Sequence, residues 1–132
     1  KKAVEAIAPR MSLGLRFHTV YGDDSRKDML YDMLVNKDPS LSYLTDHTRD
    51  YTHVEDVCSA IKVCIDNFQK LKWRRAIDVG NGSPVSIQQV ANKVWQDNNL
   101  PLKQVTGERE HTCADPSILK QYGWEPKHDI LL

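Results

Sequence analysis

From Val54 to Phe68 the apolar residues Val54, Val57, Cys58, Ile61, Cys64, Ile65 and Phe68 recur at three- and four-residue steps. That spacing draws one buried stripe along a helix of about four turns. Such a helix is stable only when its stripe is covered, and the chain supplies covering surfaces of a different period. Leu13 to Val20 carries Leu, Phe and Val at strand-like positions and ends in Tyr21-Gly22-Asp23-Asp24, where Gly and Asp favour a turn. Ala76 to Val79 is a second short apolar strand, running into the Gly80-Asn81-Gly82 turn.

The remaining segments continue the alternation. Lys1 to Ala8 reads as a helix cut off by Pro9, and Met29 to Val35 as a short amphipathic helix ended by Asn36 and Pro39. Leu41 to Thr45 has the character of a short strand. Ile87, Val90, Ala91, Val94 and Trp95 mark another helix, with Ser86 and Gln89 at capping-box spacing. Thr52 and Glu55 have the same spacing before the long helix. Asp115-Pro116 is a good start for a last helix through Leu119 and Tyr122, which Gly123 stops. Strands alternating with helices predict an α/β arrangement. No repeat, low-complexity tract or linker divides the 132 residues, so one domain is expected.

Composition narrows the partners. Lys plus Arg and Asp plus Glu are 18 each, so no global field steers the chain toward nucleic acid or an anionic membrane. An anionic ligand must be held by local groups. No apolar run approaches the roughly 20 residues of a membrane helix, and no signal peptide is recognisable. Three cysteines, with Cys58 and Cys64 pointing in different directions on the helix, predict free thiols and a cytoplasmic setting. No His/Cys spacing predicts a metal site.

Five stretches carry the chemistry: Lys1-Lys2-Ala3-Val4-Glu5-Ala6; Gly14-Leu15-Arg16-Phe17-His18-Thr19-Val20-Tyr21-Gly22; Arg49-Asp50-Tyr51-Thr52-His53-Val54-Glu55-Asp56-Val57; Asp78 to Ser86; and Ala114-Asp115-Pro116-Ser117 with Gly123-Trp124-Glu125-Pro126. In this order they resemble the carboxyl-terminal half of extended short-chain dehydrogenase/reductases, the NAD-dependent epimerase/dehydratase family. The resemblance implies a Rossmann-like α/β fold without its amino-terminal dinucleotide-binding half. Residues 1–22 would be the end of the catalytic helix and one strand, and residues 23–132 the sugar-nucleotide-binding region.

In that family a Tyr-x-x-x-Lys pair works from one helix face, the ammonium lowering the tyrosine pKa and holding the ribose. The tyrosine exchanges a proton with a sugar hydroxyl while hydride passes to or from NAD. The resemblance makes Lys1 the catalytic and cofactor-binding lysine, with no tyrosine before it, and Phe17 a cofactor contact. It implies that Thr19, Arg26, Met29 and Arg49 bind substrate, the guanidiniums gripping a sugar carboxylate or the nucleotide phosphates through paired hydrogen bonds. Arg49 has an alternative in pairing with Asp46, Asp50 or Glu55. Gly80-Asn81-Gly82 lacks a third glycine and precedes Pro84, so a strand-to-helix turn is expected there instead of a cofactor loop. His18 and His53 are expected to be structural.

Two departures from the family pattern stand out. Pro9 follows the first helix early, so the connection to the Leu15-Arg16-Phe17 strand is short. The segment Gln104-Val105-Thr106-Gly107-Glu108-Arg109 offers Arg109 as a second phosphate contact, but in a different register. The expectation is a substrate-binding half of a UDP-glucuronate or UDP-glucose 4-epimerase-like protein, not catalytic alone and using NAD only in the complete enzyme. The alternatives are a non-catalytic binder of UDP-sugars, a portion of a dehydratase, or a module that associates as a homodimer or with a missing amino-terminal half.

Overall fold

The apolar run from Leu13 to Val20 folds as two strands, because its partners change midway. In the computed structural model, which describes residues 2–132, β1 (Gly14–Phe17) pairs in parallel with β5 (Ala76–Val79), from Gly14 against Ala76 to Phe17 against Val79. The amide of His18 makes a last bond to the Val79 carbonyl at 3.3 Å. Then β2 (Thr19–Tyr21) takes up β4 (Tyr51–His53), again in parallel. His18 is therefore a fork at which one strand exchanges one neighbour for another.

Parallel pairs need long crossovers, and the helices supply them. α1 (Lys2–Ile7) precedes β1; α2 (Leu30–Val35) lies between β2 and β3 (Thr48–Arg49). After β4 come α3 (Val54–Asp66), the short α4 (Phe68–Leu71) and a 3₁₀ turn at Lys72–Arg74, leading to β5. β6 (Val85–Ser86) pairs antiparallel with β3, α5 (Ile87–Val94) follows, and α6 (Ser117–Gln121) comes last. Among the described residues no helix is long and apolar enough to cross a membrane.

The predicted stripe on α3 is buried only in part. Val57 and Cys64 are inside and Ile61 and Phe68 half-buried, while Val54, Cys58 and Ile65 (the last 70% exposed) face outward. Val57, Ala60 and Cys64 pack with Leu71, Ile77, Val79, Leu119 and Trp124 into one core. A second core joins Tyr21, Leu34, Leu44 and Tyr51 to Ile87, Val90 and Ala91 of α5. Each fully buried Leu, Ile or Val contributes roughly 1.5–3 kcal/mol.

Local signals came out unevenly. Ser86 and Gln89 form the expected capping box: the Gln89 amide donates to Ser86 Oγ at 3.1 Å, and the Ser86 amide to Gln89 Oε1 at 3.0 Å. At α3 the cap is His53, whose Nδ1 accepts the Glu55 amide at 3.2 Å. Thr52, expected in that role, is fully buried in β4 and its hydroxyl accepts the Asn81 amide at 3.3 Å. Asp115 accepts the Ser117 amide at 3.0 Å and so starts α6 as expected. The long helix ends at Asp66, two residues before Phe68, capped by Asn67, whose amide and side chain both donate to the Val63 carbonyl. Leu41 to Thr45 contributes a single bridge, Leu44 to Leu102, in place of a strand.

Candidate functional site

At the fork a cleft of about 800 Å³ opens beside the carboxyl-terminal ends of β1 and β5. Crevices at such strand ends, where neighbours diverge, are where open parallel sheets bind ligands. The run Arg16-Phe17-His18-Thr19 forms one wall, because a strand alternates its side chains and the break at His18 adds a turn of direction. Asp78 faces it from β5, Arg49 from β3, and Arg109, Thr112 and Cys113 from the segment before α6; Lys2 and Glu5 of α1 close one end.

Charge in the cleft is mostly cationic but mostly engaged. Arg16 grips Glu5 with Nε and Nη2 at 2.6 and 2.7 Å. That hydrogen bond, reinforced by the guanidinium charge, holds the Glu5 carboxyl below its ordinary range and raises Arg16 in turn. Arg49 is only 17% exposed: Nη1 donates to the carbonyls of Thr48 (2.9 Å) and Glu110 (3.4 Å), and Nη2 lies 3.2 Å from His47 Nδ1 and 3.9 Å from Glu108. Its acidic neighbour is thus Glu108, not Asp46, Asp50 or Glu55. Arg109 forms no ion pair among the described residues. Burial, then Asp50, Asp115 and Asp78, push the Cys113 thiol up, so it is a poor nucleophile at neutral pH. His18 Nε2 stands 3.7 Å from Asp78 Oδ2, too long for a hydrogen bond.

The expected site residues divide between two places. Phe17, Thr19 and Arg49 line the cleft, Phe17 with a face 41% exposed. Arg26 and Met29 line a separate hollow of about 320 Å³ with Tyr21, Gly22 and Val54. The expectation that Thr19, Arg26 and Arg49 converge is corrected here. The turn after Gly22, with Asp24 at φ +61°, carries Arg26 off the strand, and Asp28 then pairs with its guanidinium. Lys1 lies outside the described residues.

The acidic residues of the Arg49 block have structural work. Asp50, fully buried, accepts the amides of Gly82 and Ala114, each at 2.8 Å. Asp56 accepts those of Lys127 (3.0 Å) and His128 (2.9 Å). Burial pushes the Asp56 carboxyl up, but those two amides and the His128 side chain outweigh it and leave it below its ordinary value. No spacing in the sequence paired these acids with Gly82, Ala114, Lys127 or His128, since the partners are distant along the chain.

A dinucleotide does not fit the Gly80–Gly82 turn. A β-carbon at Gly80 would lie 2.5 Å from Ala114 Cβ, and one at Gly82 (φ +73°) 2.8 Å from Pro116. Those glycines are filled against protein, with their backbone closed to a pyrophosphate; the expected structural turn is what forms.

An α/β fold with a polar cleft at the carboxyl ends of parallel strands defines the class: a Rossmann-like protein. No family model matches the chain. It is 31% identical to UDP-glucuronate 4-epimerase 4 of Arabidopsis thaliana over 162 residues, covering 98% of this chain and 37% of that protein. UDP-glucuronic acid 4-epimerase from Bacillus cereus, solved in complex with UDP-glucuronic acid and NAD, superposes with a TM-score of 0.71 at 26% identity, over 89% of this chain and 40% of that one. A dTDP-glucose 4,6-dehydratase from Bacillus anthracis shares the fold, with a TM-score of 0.72 at 20% identity over 90% of this chain and 40% of that one. The chain is related to the NAD-dependent epimerases and dehydratases of the extended short-chain dehydrogenase/reductase family and corresponds to part of their fold. It spans a little over a third of the length of the curated relatives it matches.

Proposed function

We propose that this chain is the sugar-nucleotide-binding portion of a UDP-glucuronate or UDP-glucose 4-epimerase-like protein, and that it binds the nucleotide diphosphate without turning the sugar over by itself. The observation that carries this is the shared cleft: Thr19 and Arg49 face one space with the unpaired Arg109. A diphosphate needs several donors on fixed positive charge, and guanidiniums supply both. Arg109 is the more available group, while Arg49 is held by carbonyls and would contribute a preset donor at the wall. Thr19 is the hydroxyl nearest the strand break and would face the sugar. Arg26 and Met29 belong to this reading only if the ligand extends into their neighbouring hollow. Lys1 and Phe17 would meet the nicotinamide side of NAD in an arrangement that carries both halves of the fold. A cytoplasmic setting is part of the same reading.

Calorimetric titration with UDP tests it. Arg49→Ala and Arg109→Ala should each weaken binding about tenfold, the worth of one charge-assisted contact of roughly 1.5 kcal/mol. Affinity unchanged by both replacements removes the proposal. Turnover of UDP-glucuronate or UDP-glucose by the purified chain with NAD supplied would overturn the non-catalytic part alone.

A second reading, association with a protein partner, is favoured by one surface. β1 pairs with β5 on one side only among the described residues, and Val4, Ile7 and Met11 stand exposed nearby in sequence, Ile7 by 83%. Unpaired strand edges beside exposed apolar side chains recruit partners. Sedimentation showing a monomer at high concentration would count against a homodimer.

A further inference from the structure

Away from the cleft, the fold brings together three side chains that no spacing in the sequence connects. His53 ends β4 and caps α3, Glu55 lies in the first turn of α3, and His128 comes from the carboxyl-terminal segment that Asp56 ties down through the Lys127 and His128 amides. One donor atom from each of His53, Glu55 and His128 lies within 4.8 Å of the other two. The two imidazole rings stack at 4.0 Å between centroids, 20° from parallel. None of the three lines the 800 Å³ cleft.

The contacts of His128 are what call for a cation. Its Nε2 is 3.3 Å from Glu55 Oε2, and its Nδ1 is 3.2 Å from Asp56 Oδ1, close but off the line of a good hydrogen bond. A neutral imidazole carries one N–H. With a carboxylate at each ring nitrogen, a neutral ring answers only one of them with its N–H and turns its lone pair to the other. When the proton stays on the Asp56 side, Nε2 and Glu55 become two acceptors in contact, and a divalent cation between them turns that opposition into coordination. The buried Asp56 carboxylate then stands behind the ligating ring, the arrangement in which an outer carboxylate fixes a histidine's orientation at a metal.

We propose that His53, Glu55 and His128 form a binding site for a zinc-class divalent cation, with water in the fourth position, which clips the carboxyl-terminal segment to the start of α3. Two imidazoles and a carboxylate suit a borderline-soft ion such as zinc and give calcium or magnesium too few oxygens. Donor atoms on a tetrahedral zinc lie roughly 3.3–3.6 Å apart, so the outermost pair must close in. Glu55 has the freedom to do this, because its side chain is 73% exposed. Coordination through His53 Nδ1 gives up its 3.2 Å bond from the Glu55 amide, the cap of α3, and tilts the ring out of its stack on His128. No spacing in the sequence signals the group, because His128 reaches the other two from the far end of the chain.

The test is calorimetric titration of the chelator-treated full chain with zinc, and a cobalt titration read by visible absorption. One equivalent should bind, cobalt should give the intense bands of a tetrahedral centre, and the thermal midpoint should rise. Glu55→Gln, an exposed change that leaves the fold intact, and His128→Gln should each weaken binding at least tenfold. A variant with Cys58→Ser and Cys113→Ser, which removes both exposed thiols, should bind as the parent does. No saturable zinc binding, binding indifferent to Glu55→Gln and His128→Gln, or binding lost with the thiols would each overturn the site.

Discussion

The buried carboxylate of Asp50 accepts the amide of Ala114 at 2.8 Å, and the same oxygen accepts the amide of Gly82. One acid thus joins the entry to β4, the turn after β5 and the segment leading to α6. Asp50→Ala removes the acceptor from two amides that have little water to replace it. Hydrogen bonds to a charged group are worth about 1.5–3 kcal/mol each, and the cavity is small. Asp50→Ala is expected to lower stability by about 2–4 kcal/mol in urea unfolding, and Asp50→Asn by less, since its carbonyl oxygen can still accept both amides without the charge. A loss below about 1 kcal/mol for the alanine change would show that the three segments are joined by other contacts.

Gly80 lies under the same knot. A β-carbon there would sit 2.5 Å from the Ala114 side chain and 3.2 Å from Asp50 Oδ2. Overpacking of this kind costs about 1–3 kcal/mol. Gly80→Ala should therefore destabilise the chain by that amount, and adding Ala114→Gly should recover part of the loss by freeing the space. A double-mutant cycle on unfolding free energies measures the coupling. Strictly additive effects would mean that the two positions do not compete for the same volume.

Legibility in the sequence followed the range of each interaction. The existence of α3 and the Ser86–Gln89 capping box were readable because their bonds close within a few residues. The side of α3 that is buried was read only in part, since Val54, Cys58 and Ile65 face outward. His53 displaced Thr52 as the α3 cap because Thr52 is claimed by Asn81, a residue from another element. The Leu13–Val20 run looked like one strand because periodicity cannot register a change of neighbour at His18. Thr19 and Arg49 came to one cleft because each sits on a strand whose direction the pairing sets. Arg26 did not, because a turn with a positive φ and a local acid decide where a loop cation points. The Asp50 and Asp56 contacts and the His53–Glu55–His128 group were invisible for the same reason: they join segments far apart in sequence.

The cap at Ser86 offers a contained test of local against tertiary stabilisation. Ser86→Ala leaves the Gln89 amide without its side-chain acceptor and frees the Gln89 side chain from its return bond. Loss of an N-cap typically costs about 1 kcal/mol. The same loss is expected here in chemical denaturation, with α5 still packed through Ile87, Val90 and Ala91. Native hydrogen exchange should speed up first at the amide of Gln89. An unchanged rate there would assign the helix start to packing alone.

Alkaline pH should expose how far the second core depends on neutral tyrosines. Burial pushes the Tyr51 hydroxyl up to about 12, and burial, then the nearby Tyr31, Asp129 and Asp56, push Tyr21 to about 12 as well. The unfolded chain releases those protons near 10. Between these values the unfolded state holds fewer protons than the folded one, so stability falls as pH rises. The contribution is whole below about pH 10 and is lost progressively as the pH approaches 12. For Tyr51, the more buried of the two, a shift of this size corresponds to roughly 2–3 kcal/mol at the upper end. Unfolding midpoints in urea should fall steadily over that range, and Tyr51→Phe should flatten the fall because phenylalanine has no proton to lose. Tyrosinate absorbance followed in parallel should then rise together with unfolding; full ionisation of a still-folded chain near pH 10 would refute the assignment of these two rings to a dry core.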